Sequence, residues 1–240
     1  MNIAIITAGG RGTRMYNSRP KQFIEVNGKP IIIYTLEVFE QNPQIDAIVV
    51  VCLEEWIPLL RKMLKRYSIE KVVRVVPGGK EGQESIYRGL CAAEEYAREQ
   101  NVGDPLVLIH DAVRPLLDQT TLNNSIEVTR QQGNCITVGE PTETILMQSE
   151  GQQNICVRDE LFFVRAPQVF VLKDIIALHR RAQEDGKTYY KDCCSMLTDY
   201  GVPFQTLTGR MFNIKITHPS DLLVFKSIIA MQETRQMLGM

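Results

Sequence analysis

The sequence lacks the features that would send the chain to a membrane or give it a broad charged surface. Its 27 basic and 28 acidic residues leave a formal net charge of −1, so no general field attracts nucleic acids or other polyanions. No apolar run approaches the roughly 18 residues that span a bilayer, and residues 1–9 are too short and unflanked for a signal peptide. We therefore expect no nucleic acid and no membrane among its partners, and any anion site must be local.

Cysteine pairs of the kind that bind zinc are also missing. The six cysteines form no C-x-x-C pair, and most of them lie in apolar stretches. Cys193 and Cys194 are adjacent, but neighbouring side chains on a helix do not face each other. These thiols indicate a reduced, cytoplasmic protein rather than a disulfide framework or a zinc site.

Alternating apolar segments run through most of the 240 residues. They predict strands at 3–6, 45–53, 71–76, 106–109 and 134–139, and helices at 31–41, 54–67, 86–100, 122–132, 172–185 and from 219 to about 234. This alternation predicts a single α/β domain over residues 1–240, with a Rossmann-like, mostly parallel sheet and helices on both faces. Residues 143–157 break the rhythm and predict an antiparallel β-arm, inserted at about 142–158.

The first predicted strand runs into a glycine-rich loop, which reads TAGGRGTRM over residues 7–15. Glycines let backbone N–H groups approach phosphate oxygens, and guanidinium groups add positive charge and a fork of donors. The loop lacks the Gly-Lys-Ser/Thr ending of a P-loop and the third glycine of the dinucleotide fingerprint. This composition favours a triphosphate site over an ordinary strand-to-helix turn, and the glycine spacing disfavours an NAD-dependent oxidoreductase.

Three later stretches carry further candidate site residues. A second glycine-rich loop, PGGKEGQES over residues 77–85, would meet the first at the carboxyl end of the sheet, where open α/β sheets bind ligands. Asp111 follows the strand at 106–109 within HDAVRP, and a helix cap or an Asp–Arg pair is its structural alternative. Lys215 stands between two isoleucines, where an edge-strand charge is the alternative.

Together these stretches resemble the signature of sugar-phosphate nucleotidyltransferases, in the branch of methylerythritol-phosphate and ribitol-5-phosphate cytidylyltransferases. The resemblance is carried by the first loop with PKQ at 20–22, the second loop, HDAVRP at 110–115, RAPQVF at 165–170 and NIKIT at 213–217. It extends in colinear order from residue 3 to about 229. Gly82 departs from the family, which usually has an arginine there, and Lys80 is a candidate to replace that charge.

The resemblance implies that an acceptor phosphate attacks the α-phosphorus of CTP and that pyrophosphate leaves, with Mg²⁺ as cofactor. It implies catalytic roles for Arg14, Lys21 and Lys215, nucleotide binding by Ala8, Gly9, Gly10, Gly12, Gly79, Lys80 and Ser85, and acceptor binding by Asp111, Thr144, Arg158 and Thr217. Asp111 is the expected protein contact of a Mg²⁺ ion held mainly by the triphosphate. NIKIT resembles the family's lysine-bearing strand. The family's arm packs on a second subunit, which implies a homodimer in which Arg158 reaches the neighbouring site.

The acceptor, a small polyol phosphate, is left open by the sequence. Residues 21–23, 157–159 and 212–217 resemble the ribitol-phosphate enzymes, which would form a CDP-polyol precursor of cell-wall or surface polysaccharide. Methylerythritol phosphate, an acceptor of isoprenoid biosynthesis, is the alternative. Because Gly82 replaces an arginine, a non-catalytic nucleotide-binding module is the alternative of another class.

Overall fold

A seven-stranded mixed sheet forms the centre of the protein. The computed structural model describes residues 1–10, 15, 19–149 and 151–237, with side chains up to residue 234. The strands are β1 (Asn2–Ala8), β2 (Glu25–Val26), β3 (Lys29–Pro30), β4 (Ala47–Cys52), β5 (Val72–Pro77), β6 (Leu106–Asp111), β7 (Asn134–Gly139), β8 (Leu146–Ser149), β9 (Gln152–Ile155), β10 (Phe163–Val171) and β11 (Thr206–Thr208). The helices are α1 (Ile31–Glu40), α2 (Ile57–Arg66), α3 (Gly82–Glu99), α4 (Gln119–Gln132), α5 (Leu172–Glu184), α6 (Cys193–Asp199) and α7 (Pro219–Met237).

The strand order of the main sheet is β11-β7-β10-β6-β1-β4-β5. β1 pairs in parallel with β4 and β6, β4 with β5, and β7 with β11. β10 runs antiparallel to both of its neighbours, β6 and β7. The predicted α/β fold with a mostly parallel sheet is confirmed, and the antiparallel strand β10 is an addition that the apolar pattern had not revealed.

Both faces of the sheet are covered by helices, as predicted. Along β1, Ile3 and Ile5 pack into a core with α3, α5 and α6, whereas Ala4 and Ile6 pack into a core with α1, α2 and α4. Successive side chains of a strand point to opposite faces, so a strand buried on both faces reads as a continuous apolar run. A third cluster around Phe225 joins α7 to the β2–β3 hairpin and the start of α1.

Two elements near the predicted site differ from the sequence predictions. α3 begins at Gly82 rather than at residue 86, because the Ser85 N–H donates to the Glu81 carbonyl at 3.1 Å and closes an earlier first turn. The stretch around Lys215 is not a strand. Its bonds to other segments are isolated, with the Ile216 N–H on the Val113 carbonyl at 2.9 Å and Asn213 Nδ2 on the Ala166 carbonyl at 2.6 Å, and form no ladder.

The predicted β-arm is present as a two-stranded antiparallel ribbon. β8 and β9 pair from Leu146 opposite Ile155 to Ser149 opposite Gln152, and Gly151 takes a positive φ of 80° in the turn. All eight strand residues are exposed. A ribbon of two strands is marginally stable at best by itself in water.

All six cysteines are free thiols. Cys193 Sγ lies 3.7 Å from His179 Nε2, but both side chains are buried. Burial raises the pKa of the Cys193 thiol and lowers the pKa of His179 to about 4, so the neutral thiol and the neutral imidazole are favoured over a thiolate–imidazolium pair. Among the described residues, no three or more His, Cys, Asp or Glu side chains are grouped to hold a metal, and no helix could cross a membrane.

Candidate active site

A cavity of about 520 Å³ opens where β1, β5 and β6 end. Ten of the residues predicted to act on the substrates lie in its lining: Ala8, Gly9, Gly10, Lys21, Gly79, Lys80, Ser85, Asp111, Lys215 and Thr217. Thr144 and Arg158 lie outside that lining, and Gly12 and Arg14 fall outside the described residues. The fold therefore brings together side chains that are as much as 200 residues apart in the sequence, since Lys21 and Thr217 share the lining.

The two glycine-rich loops touch each other at this edge of the sheet. A Cβ on Gly78 would lie 3.5 Å from the Gly9 Cα and 3.3 Å from Ser85 Oγ, so the two loop backbones are close neighbours. The Gly78 N–H donates to the Cys52 carbonyl at 2.8 Å, which fixes the second loop above the end of β4. The predicted meeting of the two loops is thus present.

Ser85 and Gln22 hold the loops from within. Ser85 Oγ accepts from the Gly79 N–H at 3.0 Å and donates to the Glu81 carbonyl at 3.1 Å. Gln22, which is buried, donates through Nε2 to the carbonyls of Ala8 at 2.7 Å and Gly10 at 3.1 Å. The Pro-Lys-Gln stretch signalled Gln22 in the sequence without revealing its role, which is to clamp the first loop.

Asp111 lies between two cations at the centre of the cavity. Lys215 Nζ donates to Oδ1 at 2.7 Å, and Arg114 Nε donates to Oδ2 at 2.8 Å. Burial alone would raise the pKa of Asp111, but the charges and hydrogen bonds of Lys215 and Arg114 outweigh it and hold that pKa well below its usual range. The carboxylate is therefore ionised at any physiological pH. Asp111 forms the ion pair with Arg114 that was its structural alternative, and it also lines the cavity.

Lys21 approaches Lys215 through the neighbouring backbone. It is buried, and Nζ donates to the Ile216 carbonyl at 2.9 Å. Thr217 Oγ1 donates to the Lys215 carbonyl at 3.2 Å and steadies the same segment. Lys21 and Lys215 are far apart in the sequence, yet both line the cavity that contains Asp111.

Positive charge dominates the lining although the whole chain is nearly neutral. Among the described residues, six cations line the cavity: Lys21, Lys80, Arg114, Arg165, Lys191 and Lys215. Three carboxylates from the same part of the chain accompany them: Glu81, Asp111 and Asp192. The excess of cations fits a polyanionic ligand and matches the local anion site that the composition required.

His110, which the sequence indicated as structural, contributes no titrating group to this cavity. Its ring is fully buried, and Nε2 lies 3.1 Å from the Arg114 carbonyl oxygen. Burial lowers the pKa of His110 to about 4, so the ring is neutral near pH 7.

The cavity suits a Mg²⁺ ion that is carried by phosphate. Mg²⁺ keeps several waters and takes one or two carboxylates besides substrate phosphate oxygens. Asp111 is one such carboxylate, because each of its oxygens accepts one hydrogen bond from a cation and has a second lone pair. The donor set fits the ion in this limited role, with Asp111 as the protein ligand.

Arg158 and Thr144 stand apart from this cavity. Both side chains are exposed, and Arg158 Nε lies 3.8 Å from Asp159 Oδ1. Arg158 instead lines a second hollow of about 510 Å³, together with Glu140, Pro141, Thr142, Asp159, Leu161 and Phe162. The structure therefore does not bring Arg158 to the main cavity.

Known proteins are similar to this chain over nearly its whole length. The family model of IspD, 2-C-methyl-D-erythritol 4-phosphate cytidylyltransferase, matches residues 2–231. A ribitol-5-phosphate cytidylyltransferase of Vibrio parahaemolyticus serotype O3:K6 is 48% identical over 242 residues, which cover the whole of both chains. A 2-C-methyl-D-erythritol 4-phosphate cytidylyltransferase of Clostridium botulinum strain Okra is 37% identical over 230 residues, 95% of this chain and 97% of the relative.

A solved crystal structure has the same fold as this chain. The crystal structure of 4-diphosphocytidyl-2C-methyl-D-erythritol synthase from Anaerococcus prevotii superposes with a TM-score of 0.81. The match covers 95% of this chain and 98% of that one at 24% identity, which shows a shared fold.

Proposed function

We propose that this chain, which belongs to the IspD family of cytidylyltransferases, transfers the cytidylyl group of CTP to ribitol 5-phosphate and releases pyrophosphate. The observation that carries the proposal is the meeting of Lys21, Lys215 and Asp111 beside two glycine-rich loops in one cationic cavity. Ribitol 5-phosphate is preferred because a relative of that name is 48% identical over both full chains. Methylerythritol phosphate is the second candidate, supported by the family description and by a relative that is 37% identical.

The reaction is a displacement at phosphorus. An oxygen of the acceptor phosphate forms a bond to the α-phosphorus of CTP, and the bond from that phosphorus to the bridging oxygen of the β-phosphate breaks. Pyrophosphate leaves with the electron pair, and CDP-ribitol is the second product. Negative charge accumulates around the α-phosphorus, so fixed cations are the catalysts that this step needs.

Lys21 and Lys215 supply those cations in the proposal. Lys21 is held by the Ile216 carbonyl, and Lys215 is held by Asp111, so neither ammonium has to reorganise when charge develops. Mg²⁺ bound to the triphosphate and Asp111 would neutralise phosphate charge and orient the leaving group. Arg14 is assigned to the triphosphate on the family resemblance alone.

The nucleotide would lie across the two glycine loops. Gln22 and Ser85 fix the loop backbones from the protein side, so the base, ribose and phosphates would meet loops that are already ordered. Lys80 is exposed at the cavity rim. It would supply the positive charge that the family usually takes from an arginine at the position of Gly82. The Gly82 position has room for a side chain, since a Cβ there would meet only the Lys191 carbonyl at 3.8 Å.

We further infer a homodimer in which each arm covers its partner. Large apolar side chains are exposed on the arm and on the segment that follows it: Leu146, Met147, Ile155, Val157, Phe162, Phe163 and Val164. Such a contiguous set is typical of an interface rather than of a free surface. A two-fold pair would bury both arms and carry Arg158 and Thr144 to the acceptor phosphate of the other chain. The free thiols support the cytoplasm as its compartment.

An acceptor panel tests the proposed function. Purified protein with CTP and Mg²⁺ should release pyrophosphate with ribitol 5-phosphate at a kcat/KM at least tenfold above that with methylerythritol phosphate, a difference of about 1.4 kcal/mol. Parallel reactions with ATP, GTP and UTP control for nucleotide choice. A preference for methylerythritol phosphate would overturn the acceptor assignment, and binding of CTP without turnover of either acceptor would overturn the catalytic assignment.

A further inference from the structure

Arg165 also lines the cavity, and the proposed function gives it no role. It belongs to β10, at a shift in the pairing register of β10 with β7 between Val164 and Gln168. Its guanidinium occupies the space above Gly139, where a Cβ would lie only 2.5 Å from Cζ and 2.6 Å from Nε. A side chain at residue 139 would therefore displace this guanidinium, so glycine there is a condition of its position.

The charge of Arg165 is not balanced by any carboxylate among the described residues. Nη1 donates to the carbonyl oxygens of Arg210 at 3.1 Å and Met211 at 3.2 Å. No protein acceptor is bonded to Nε or Nη2 within the described part of the chain. Burial, and secondarily the like charge of Arg114, lower the pKa of Arg165. A half-buried guanidinium beside a second one is stabilised most directly by an anion.

The strand order places Arg165 in the acceptor half of the cavity. β10 lies on the opposite side of β6 from β1 and β5, the strands that lead into the two glycine loops. Asp111, at the end of β6, thus stands between those loops and Arg165. A triphosphate seated on the loops would direct its α-phosphorus toward Asp111, which leaves the Arg165 side for the second substrate.

We propose that Arg165 binds the phosphate of the acceptor from within the same protomer, through its open Nε–Nη2 edge. This edge presents two parallel N–H donors, the geometry that matches two oxygens of a phosphomonoester. The proposal rests on the proposed function and adds to it an acceptor-binding residue that needs no partner chain. Arg165 is then a specificity determinant, since an uncharged polyol would leave its guanidinium without an anion.

The test compares Arg165→Gln with Arg165→Lys, Gly139→Ala and a matched control, Arg180→Gln. Arg180 is a half-exposed arginine bonded to Glu94 at 2.8 Å and lies outside the cavity lining. We expect Arg165→Gln to raise KM for ribitol 5-phosphate by about 10- to 100-fold, the effect of losing a charge-assisted bond, with KM for CTP within about twofold of wild type. Arg165→Lys should recover part of that loss, because it keeps the charge without the fork.

Gly139→Ala distinguishes the effect of the position of the Arg165 guanidinium from the effect of its charge. It leaves Arg165 in the sequence but moves the guanidinium, so KM for ribitol 5-phosphate should rise while KM for CTP does not. Thermal unfolding of each variant and calorimetric titration with ribitol 5-phosphate and with CTP accompany the kinetics.

If wild type turns over ribitol 5-phosphate and Arg165→Gln keeps its acceptor KM, this inference is wrong and the proposed function stands. An equal rise in both KM values with a matching fall in Tm would show that Arg165 only anchors residues 210 and 211. A wild type inactive on ribitol 5-phosphate would overturn both.

Discussion

Replacing Lys215 by alanine should abolish most of the activity at almost no cost in stability. The Lys215 ammonium lies 2.7 Å from Asp111 Oδ1, yet 44% of its side chain is exposed. Ion pairs this accessible to water contribute about 0–1 kcal/mol to folding, and Asp111 would keep Arg114 as a partner at 2.8 Å. We therefore expect the free energy of unfolding to fall by no more than about 1 kcal/mol.

The effect on catalysis should be much larger. A fixed donor that meets charge in the transition state contributes about 2.7–4 kcal/mol, which corresponds to a kcat lowered about 10²- to 10³-fold. The assay is pyrophosphate release at saturating CTP and ribitol 5-phosphate, with urea unfolding of the same samples. Lys173→Ala is the matched control, because Lys173 is an exposed lysine paired with Asp104 at 3.1 Å outside the cavity.

Two results would refute this reasoning about Lys215. A raised KM for CTP with unchanged kcat would show that the lysine binds the ground state and the transition state equally. A loss of activity that follows a loss of several kcal/mol of stability would show that the ion pair with Asp111 holds the fold. In either case the assignment of Lys215 as a transition-state cation fails.

Three further predictions address the interface, the nucleotide loop and the buried histidines. Mixing inactive Arg158→Ala chains with inactive Lys215→Ala chains should restore activity, because a mixed dimer with sites completed in trans has one intact site; a mixture that stays inactive would place Arg158 in cis. Lys80→Ala should raise KM for CTP several-fold, and an unchanged KM would mean that the loop binds through its backbone alone. The folded-state pKa of His179, about 4, lies below its unfolded value of about 6.5, so the protein should lose stability as pH falls from about 6.5 to about 4. His179→Gln should flatten that slope by about 1.4 kcal/mol per pH unit, which urea unfolding measures, whereas His218→Gln, at an exposed histidine, should not.

Much of the fold follows from the apolar pattern because its strands are buried on both faces. β4 and β6 contain continuous runs of Val, Ile and Leu, at 48–51 and 106–109, and each strand lies close to its predicted bounds. β10 escaped prediction because Arg165 and Pro167 interrupt its apolar run and its outer end is exposed. The start of α3 was placed four residues late because its first turn, from Gly82 to Ser85, has the composition of a loop.

The site also contains residues that the sequence identified and residues that it did not. Asp111 and Lys215 were identifiable because charged side chains next to apolar runs have few structural uses, and the resemblance supplied their roles. The roles of Gln22 and Arg165 were not identifiable, since they depend on contacts with distant backbone. Gln22 donates to the Gly10 carbonyl, and the Arg165 guanidinium lies above Gly139. Local patterns carry no information about such long-range approaches. The strand expected around Lys215 was wrong for the same reason, because the bonds that fix it come from other loops.

The fate of labelled oxygen tests the central claim most directly, that the acceptor phosphate itself attacks the α-phosphorus of CTP. Ribitol 5-phosphate carrying ¹⁸O at its three terminal phosphate oxygens is incubated with unlabelled CTP, Mg²⁺ and the enzyme, and the products are analysed by mass spectrometry and ³¹P NMR. The account predicts CDP-ribitol that retains all three labels, one of them in the bridge between the two phosphorus atoms, and pyrophosphate that contains none. Label in the pyrophosphate, loss of label from CDP-ribitol, or no CDP-ribitol would contradict it.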